Sequence, residues 1–140
     1  MSTEDNKALV RRWYEEVFNQ KNLAAIDAFV APNIVDHLVP PGMPGGIEGT
    51  RQGVSMYLTA FPDLHLTIED LIAEGDKVVD RQTARGTHQG AFMGIPPTGK
   101  QITVTAMNIS RIAGGKIIEH WVEWDALGML QQLGVVPSRE

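Results

Sequence analysis

Leu9, Val10, Trp13, Tyr14, Val17 and Phe18 recur at the three-and-four spacing of a helix with one apolar face, behind a Ser2/Thr3 cap and an acidic first turn. Asn22 is placed to cap a short second helix carrying Leu23, Ile26, Phe29 and Val30, with Pro32 as its stop. Residues 34–39 read as a short strand, and the Pro/Gly-rich residues 40–46 as a loop. A third helix is predicted over 50–61 through Val54, Tyr57, Leu58 and Phe61, ended by Pro62. From Leu64 the pattern becomes extended, and strands are predicted over 64–74, 77–88, 101–113 and 116–124. Gly75-Asp76 and Gly114-Gly115 are hairpin turns, and residues 90–99 form a longer connection. Helical spacing returns at 126–133 and stops at Gly134.

Helices followed by a meander make an α+β fold with the helices packed on one face of a sheet. Strands of this length must twist and curl, and a curled sheet closed by helices encloses a pocket. The 140 residues fit a single domain, 1–140. At 43% hydrophobic and 21% charged, the chain can bury a core and is not of the disordered class. The 12 basic residues are scattered among 17 acidic ones, giving a net charge of -5, so no nucleic-acid partner is expected. Cysteine is absent, which removes disulfides, thiolate metal sites and thiol nucleophiles. The polar, acidic start and the lack of an apolar run near ~18 residues lead to the expectation of a cytoplasmic protein with no membrane partner.

Four ordered motifs add to this: residues 85–90 (RGTHQG), 94–99 (GIPPTG), 115–121 (GKIIEHW) and 132–134 (QLG). Together they resemble the SnoaL-like polyketide cyclase family of the NTF2-like superfamily. The resemblance implies a cone of one curved antiparallel sheet packed against three N-terminal-half helices around an internal apolar pocket. It also implies a homodimer and a cofactor-free intramolecular aldol condensation driven by a carboxylate beside a histidine. Counted from the Gly115-Lys116-Ile117 turn, the family's catalytic aspartate falls at Val122; counted back from Arg111-Ile112, its histidine falls at Asn108. Neither replacement side chain serves as an acid/base group.

Chemistry must then come from elsewhere. If Asn108 and Val122 face each other in the pocket across a three-residue turn, then Ala106, Ser110, Ile118, His120 and Trp124 share that face. Met107, Ile109, Arg111, Ile117, Glu119, Trp121 and Glu123 then form an outer face suited to a dimer contact. Asp80 and Gln82 would point inward on the neighbouring strand, with Asp80 as a relocated carboxylate whose pKa burial would raise; the bland reading pairs Asp80 with Arg81 or Arg85. His120 is either a proton carrier or a core histidine bonded to backbone. His88 precedes a Gly-rich loop and touches either substrate or that loop. Asp36-His37 forms another candidate pair near the pocket mouth, or a strand-end turn, and His65 reads as a surface residue. Tyr14, Phe18, Tyr57, Phe92, Met93 and Trp124 are candidates for an apolar lining, with Phe92-Met93 as a lid. No metal or other cofactor is expected, because short-spaced ligand pairs such as HxH or HExxH are missing; residues 94–99 also lack a phosphate cradle.

Three functions stay open: acid/base chemistry on an apolar carbonyl compound such as a polyketide, of aldol-cyclisation or isomerisation type; a non-catalytic ligand-binding or dimerisation module; and an epoxide or ester hydrolase. Asp80, His120 and His37 are the candidate catalytic residues, and Asn108, Gln82 and His88 the candidate polar substrate contacts.

Overall fold

The structure is a computed structural model and describes residues 2–38 and 42–137. Helix α1 (Thr3–Trp13) opens with a capping box between Ser2 and Asp5 and buries Val10 and Trp13. The predicted helix does not continue regularly to Phe18: Tyr14–Asn19 is wound as a π-helix, a widening that often accompanies functional residues. Asn22 makes no side-chain cap. A 3-10 turn, Leu23–Ala25, leads into the single turn α2 (Ile26–Phe29). That turn ends at Phe29 rather than at Pro32, because Pro32 already belongs to β1 (Val30–Asp36). β1 is the first strand in the sheet order β1-β5-β4-β3-β2, and such an edge position tolerates a residue without an amide proton. Val39, Pro40 and Pro41 of the predicted strand end and loop lie outside the described residues.

Helix α3 (Gly46–Ala60) starts four residues before the predicted position. Strands β2 (His65–Glu74), β3 (Lys77–Thr87), β4 (Gln101–Ala113) and β5 (Lys116–Trp124) form an antiparallel meander close to the predicted bounds. β1 pairs with β5 in parallel, which makes the sheet mixed. Helix α4 (Ala126–Leu133) is capped by Asp125 and ends on Gly134 at φ 81°. No helix among the described residues is long and apolar enough to cross a membrane.

The register of the last hairpin decides which side chains face inward. Asn108 pairs with Val122 and Ser110 with His120, as expected, but the turn differs. Ala113 pairs with Lys116 across a two-residue Gly114-Gly115 turn whose positive φ angles, 58° and 74°, suit the twist of a tight hairpin. The extra residue is absorbed by a bulge at Ile118, between the Arg111–Glu119 and Ile112–Ile117 pairs. The bulge reverses the pleat, so Ile117 is buried in the core and lines the cavity instead of the outer face, and Ile118 does not line it.

Two apolar clusters frame that cavity. One gathers Val10, Trp13, Tyr14, Val17, Ile26, Phe29 and Ile34 beneath the first helices. The other gathers Phe61, Leu64, Phe92, Ile102, Val104, Met129 and Leu133. Fully burying one such side chain stabilises the fold by roughly 1.5–3 kcal/mol. The outer sheet face keeps Ile72, Val79, Met107 and Ile109 exposed.

Candidate active site

The cavity has a volume of about 200 Å³ and lies between the sheet and the helices. Trp13, Tyr14, Phe18, Tyr57, Phe92, Val122 and Trp124 contribute apolar surface, and its polar wall carries Asp36, Gln82, Asn108 and His120. Among the lining residues, Leu38 is exposed and Gly53, Met56, Val122 and Trp124 remain partly exposed.

The polar wall is one connected chain across four strands. Parallel pairing of β1 with β5 sets Asp36 beside His120, and Asp36 Oδ1 lies 3.3 Å from His120 Nδ1. His120 Nε2 lies 2.9 Å from Asn108 Oδ1. Asn108 Nδ2 donates to Asp80 Oδ1 at 2.9 Å, as its antiparallel pairing with Asp80 allows. Gln82 Nε2 donates to the same oxygen at 2.7 Å. Asp36 Oδ1 also accepts from the Leu38 amide at 3.0 Å, the local turn expected of an aspartate at a strand end. Asp36 Oδ2 has no hydrogen-bond partner among the described residues.

Asp80 is 0% exposed and does not line the cavity; it sits behind Asn108 and Gln82. Arg81 pairs with Asp70 instead of Asp80. Burial raises the Asp80 carboxyl pKa above its ordinary value, opposed by the Asn108 and Gln82 hydrogen bonds, the His120 charge and the Tyr14 hydroxyl. Tyr14 is raised well above the usual phenol value, first by burial and then by the Asp80 charge. Tyr57 is raised by burial and by the negative charge of Asp36. Asp80 Oδ2, Tyr14 Oη and Ser110 Oγ are all buried without a hydrogen-bond partner.

Of the candidate residues, Gln82, Asn108, His120, Val122, Trp124, Tyr14, Phe18, Tyr57 and Phe92 therefore meet at one cavity. Others do not. His37 points to the opposite side of the strand from Asp36, where it bonds Glu119 Oε2 at 2.7 Å and stacks on Trp121 at 4.9 Å. His88 is buried behind the lining, where its Nδ1 receives the Thr98 amide at 3.2 Å and its ring packs on Phe61. Met93 is 59% exposed in a turn at φ 52°, held outward while Phe92 bridges to Ile95. His65 is exposed, as expected. Tyr14, expected as apolar lining, also brings its hydroxyl toward Asp80, a contact that a phenol on the helix stripe opposite an inward carboxylate signals in the sequence. Among the described residues, no group of three or more His, Asp or Glu is placed to hold a metal ion.

A family model described as SnoaL-like polyketide cyclase matches residues 8–133. TsrD from Streptomyces laurentii is 31% identical over 97% of this chain and 99% of its own, with a TM-score of 0.89. IdmH from Streptomyces antibioticus, provisionally assigned as a polyketide cyclase, is 38% identical over 92% of this chain and 98% of its own, with a TM-score of 0.80. AclR from Streptomyces galilaeus, provisionally assigned as a hydroxylase, is 31% identical over 99% of this chain and 87% of its own, with a TM-score of 0.86. No curated protein matches significantly.

Proposed function

The chain belongs to the SnoaL-like polyketide cyclase family, and on that premise we propose that it is an enzyme performing cofactor-free acid/base chemistry on an apolar, carbonyl-bearing molecule of polyketide type. The observation that carries this is the Asp36–His120 pair on the wall of an otherwise apolar cavity, next to the amides of Asn108 and Gln82. Val122 occupies the position counted for the family's aspartate, and His120 lies two residues before it on the same face. The pair thus supplies a carboxylate and an imidazole from a neighbouring position.

The reaction assigned to the pair begins with transfer of the proton on a carbon beside a carbonyl to the Asp36–His120 pair. The C–H electrons move into an enolate. Asn108 and Gln82 each use one amide hydrogen on Asp80 and keep a second for the developing oxyanion. The enolate carbon then bonds to a second carbonyl carbon of the same molecule, and the new alkoxide takes the proton back. Apolar walls around these groups strengthen each electrostatic contact by excluding water.

Among the two carboxylates that a hydrolase would bring together, only Asp36 lines the cavity, which weighs against the epoxide or ester reading. Pairing of two copies through the outer face, where Val79, Met107 and Ile109 are exposed, belongs to the proposal as well. The test is turnover of a panel of linear poly-β-ketone thioesters and aryl β-diketones by the wild type and by His120→Ala. Cyclised or rearranged product formed by the wild type and abolished in the variant supports the proposal. Tight binding with no turnover of any member, with Val122 as the mark of lost chemistry, would establish a binding module instead.

A further inference from the structure

Asp80 is a buried carboxylate that does not reach the cavity, and yet it contacts both amides that do. Oδ1 of Asp80 already accepts from Gln82 at 2.7 Å, so it is an acceptor toward Asn108 whether the carboxyl is ionised or holds its proton on Oδ2. Asn108 must therefore turn its NH₂ to Asp80, which leaves its carbonyl oxygen facing His120 Nε2 at 2.9 Å. A carbonyl oxygen can only accept, so Nε2 must carry a hydrogen. The neutral imidazole then bears its lone pair on Nδ1, and Nδ1 faces Asp36 Oδ1, a second acceptor, at 3.3 Å.

We infer that Asp80 is a positioning residue that selects the Nε2–H tautomer of His120 through the Asn108 amide, and so leaves a proton vacancy between Nδ1 and Asp36. Without Asp80, the preference reverses. Asn108 is free to turn its NH₂ toward Nε2, and the Asp36 carboxylate draws the imidazole hydrogen to Nδ1. In that form the position between Nδ1 and Asp36 is already filled by a proton. Four titratable groups lie around the imidazole: Asp36 from β1, Asp80 from β3 by way of Asn108, and the phenols Tyr14 and Tyr57 from the helices. None of the other three is a hydrogen-bond partner of Nε2 among the described residues, which leaves Asn108 in control of that nitrogen.

The catalytic consequence rests on the role proposed above for the Asp36–His120 pair, but the tautomer does not, and it is read without substrate. The measurement is the ¹⁵N spectrum of the His120 ring on the neutral side of its titration, in the wild type, Asp80→Asn, Asp80→Leu and Asn108→Ala. Asparagine at 80 still offers an oxygen to both amides, so Asp80→Asn keeps the Nε2–H signature. Asp80→Leu removes the acceptor, and the hydrogen moves to Nδ1. Asn108→Ala, which leaves the buried carboxyl in place, gives the same move and serves where Asp80→Leu does not fold. A bare Nε2 in the wild type would overturn the inference. So would an unchanged Nε2–H in a folded Asp80→Leu or in Asn108→Ala, and loss of Nε2–H in Asp80→Asn would show that charge, not amide orientation, is what matters.

Discussion

Replacing Asp80 by asparagine should change stability in a way that depends on pH, with a sign fixed by the burial of this carboxyl. The side chain is 0% exposed, and burial lifts its pKa above the ordinary carboxylate value despite two amide hydrogen bonds. In the unfolded chain the same group ionises near pH ~4. Just above that pH the unfolded chain has released its proton while folded Asp80 still holds it. The folded state then binds more protons, so stability falls as pH rises, by at most about 1.4 kcal/mol per pH unit for one group. The contribution is fully present below the unfolded value, is lost as pH rises through the folded value, and stays lost above it. Asparagine cannot ionise and still offers an oxygen to Gln82 and Asn108. The stability of Asp80→Asn relative to the wild type should therefore climb from about pH 4 upward and level off above the folded pKa. Carboxylates held low by partners, such as Asp63 with Thr87, have the opposite slope but are common to both proteins and cancel in the difference. Urea unfolding followed by fluorescence of Trp13, Trp121 and Trp124, repeated across this pH range, measures it. Asp80→Ala provides the contrast, because it strands two buried amide donors at about 1–3 kcal/mol each, or about 2–6 kcal/mol in all. A stability difference between Asp80→Asn and wild type that is flat with pH, or that shrinks as pH rises, would show that the folded Asp80 carboxyl is not held protonated by its burial.

Phe92 packs 5.5 Å from Tyr57, 5.4 Å from Phe61 and 6.4 Å from Trp124 by ring centroids, so Phe92→Ala should cost about 3–5 kcal/mol in urea unfolding. Met93→Ala, at the exposed neighbouring position, should change stability by less than about 0.5 kcal/mol. Gly115 sits at φ 74° in the tight turn that sets the β4–β5 register; Gly115→Ala should lower stability by about 1–2 kcal/mol and Gly115→Asn by less, as thermal unfolding would record. Glu119 is held below the usual glutamate range by its hydrogen bond to His37 and by Arg111. That stability is present above the ordinary glutamate value and lost as pH falls through the lowered one, so Glu119→Gln should flatten the acid limb of the unfolding curve.

The elements were legible where the physics is local. Alternation along residues 101–113 and 116–124, with two glycines between them, gave both strands their observed bounds. A glycine after Leu133 likewise gave the end of α4, since its left-handed φ admits glycine at little cost. The shared face of His120 and Val122 follows from their two-residue spacing, whereas Asn108 opposite Val122 follows from the family positions and not from the turn. The bulge at Ile118 was not legible, because two-residue and three-residue turns can both be drawn through Gly114, Gly115 and Lys116, and only closure against the core selects one. Pro32 looked like a helix stop because an edge strand is a property of the whole sheet, not of the segment.

The site was readable in the same proportion. Gln82, Asn108 and His120 carry the polarity of three facing strands; alternation sets each on one face of its strand, and the pairing register brings those faces together at the cavity. Asp36 becomes the partner of His120 only through a parallel pairing across 84 residues, which no local pattern encodes. That same pairing sends His37, the next residue, to the opposite side against Glu119 and Trp121. The burial of Asp80 behind its two amides, with Tyr14 of the π-helical turn close to it, belongs to tertiary packing, which no local pattern encodes.

In the proposed reaction the Asp36–His120 pair is the group that moves the proton. The direct measurement is solvent deuterium incorporation at the carbon between the carbonyls of an aryl β-diketone, followed by NMR for the wild type and Asp36→Asn at equal concentration. The wild type should exchange well above the buffer rate, and Asp36→Asn should be slower by about 10²–10⁴-fold, the range a positioned acid/base group supplies. Equal exchange by folded wild type and folded Asp36→Asn would contradict it.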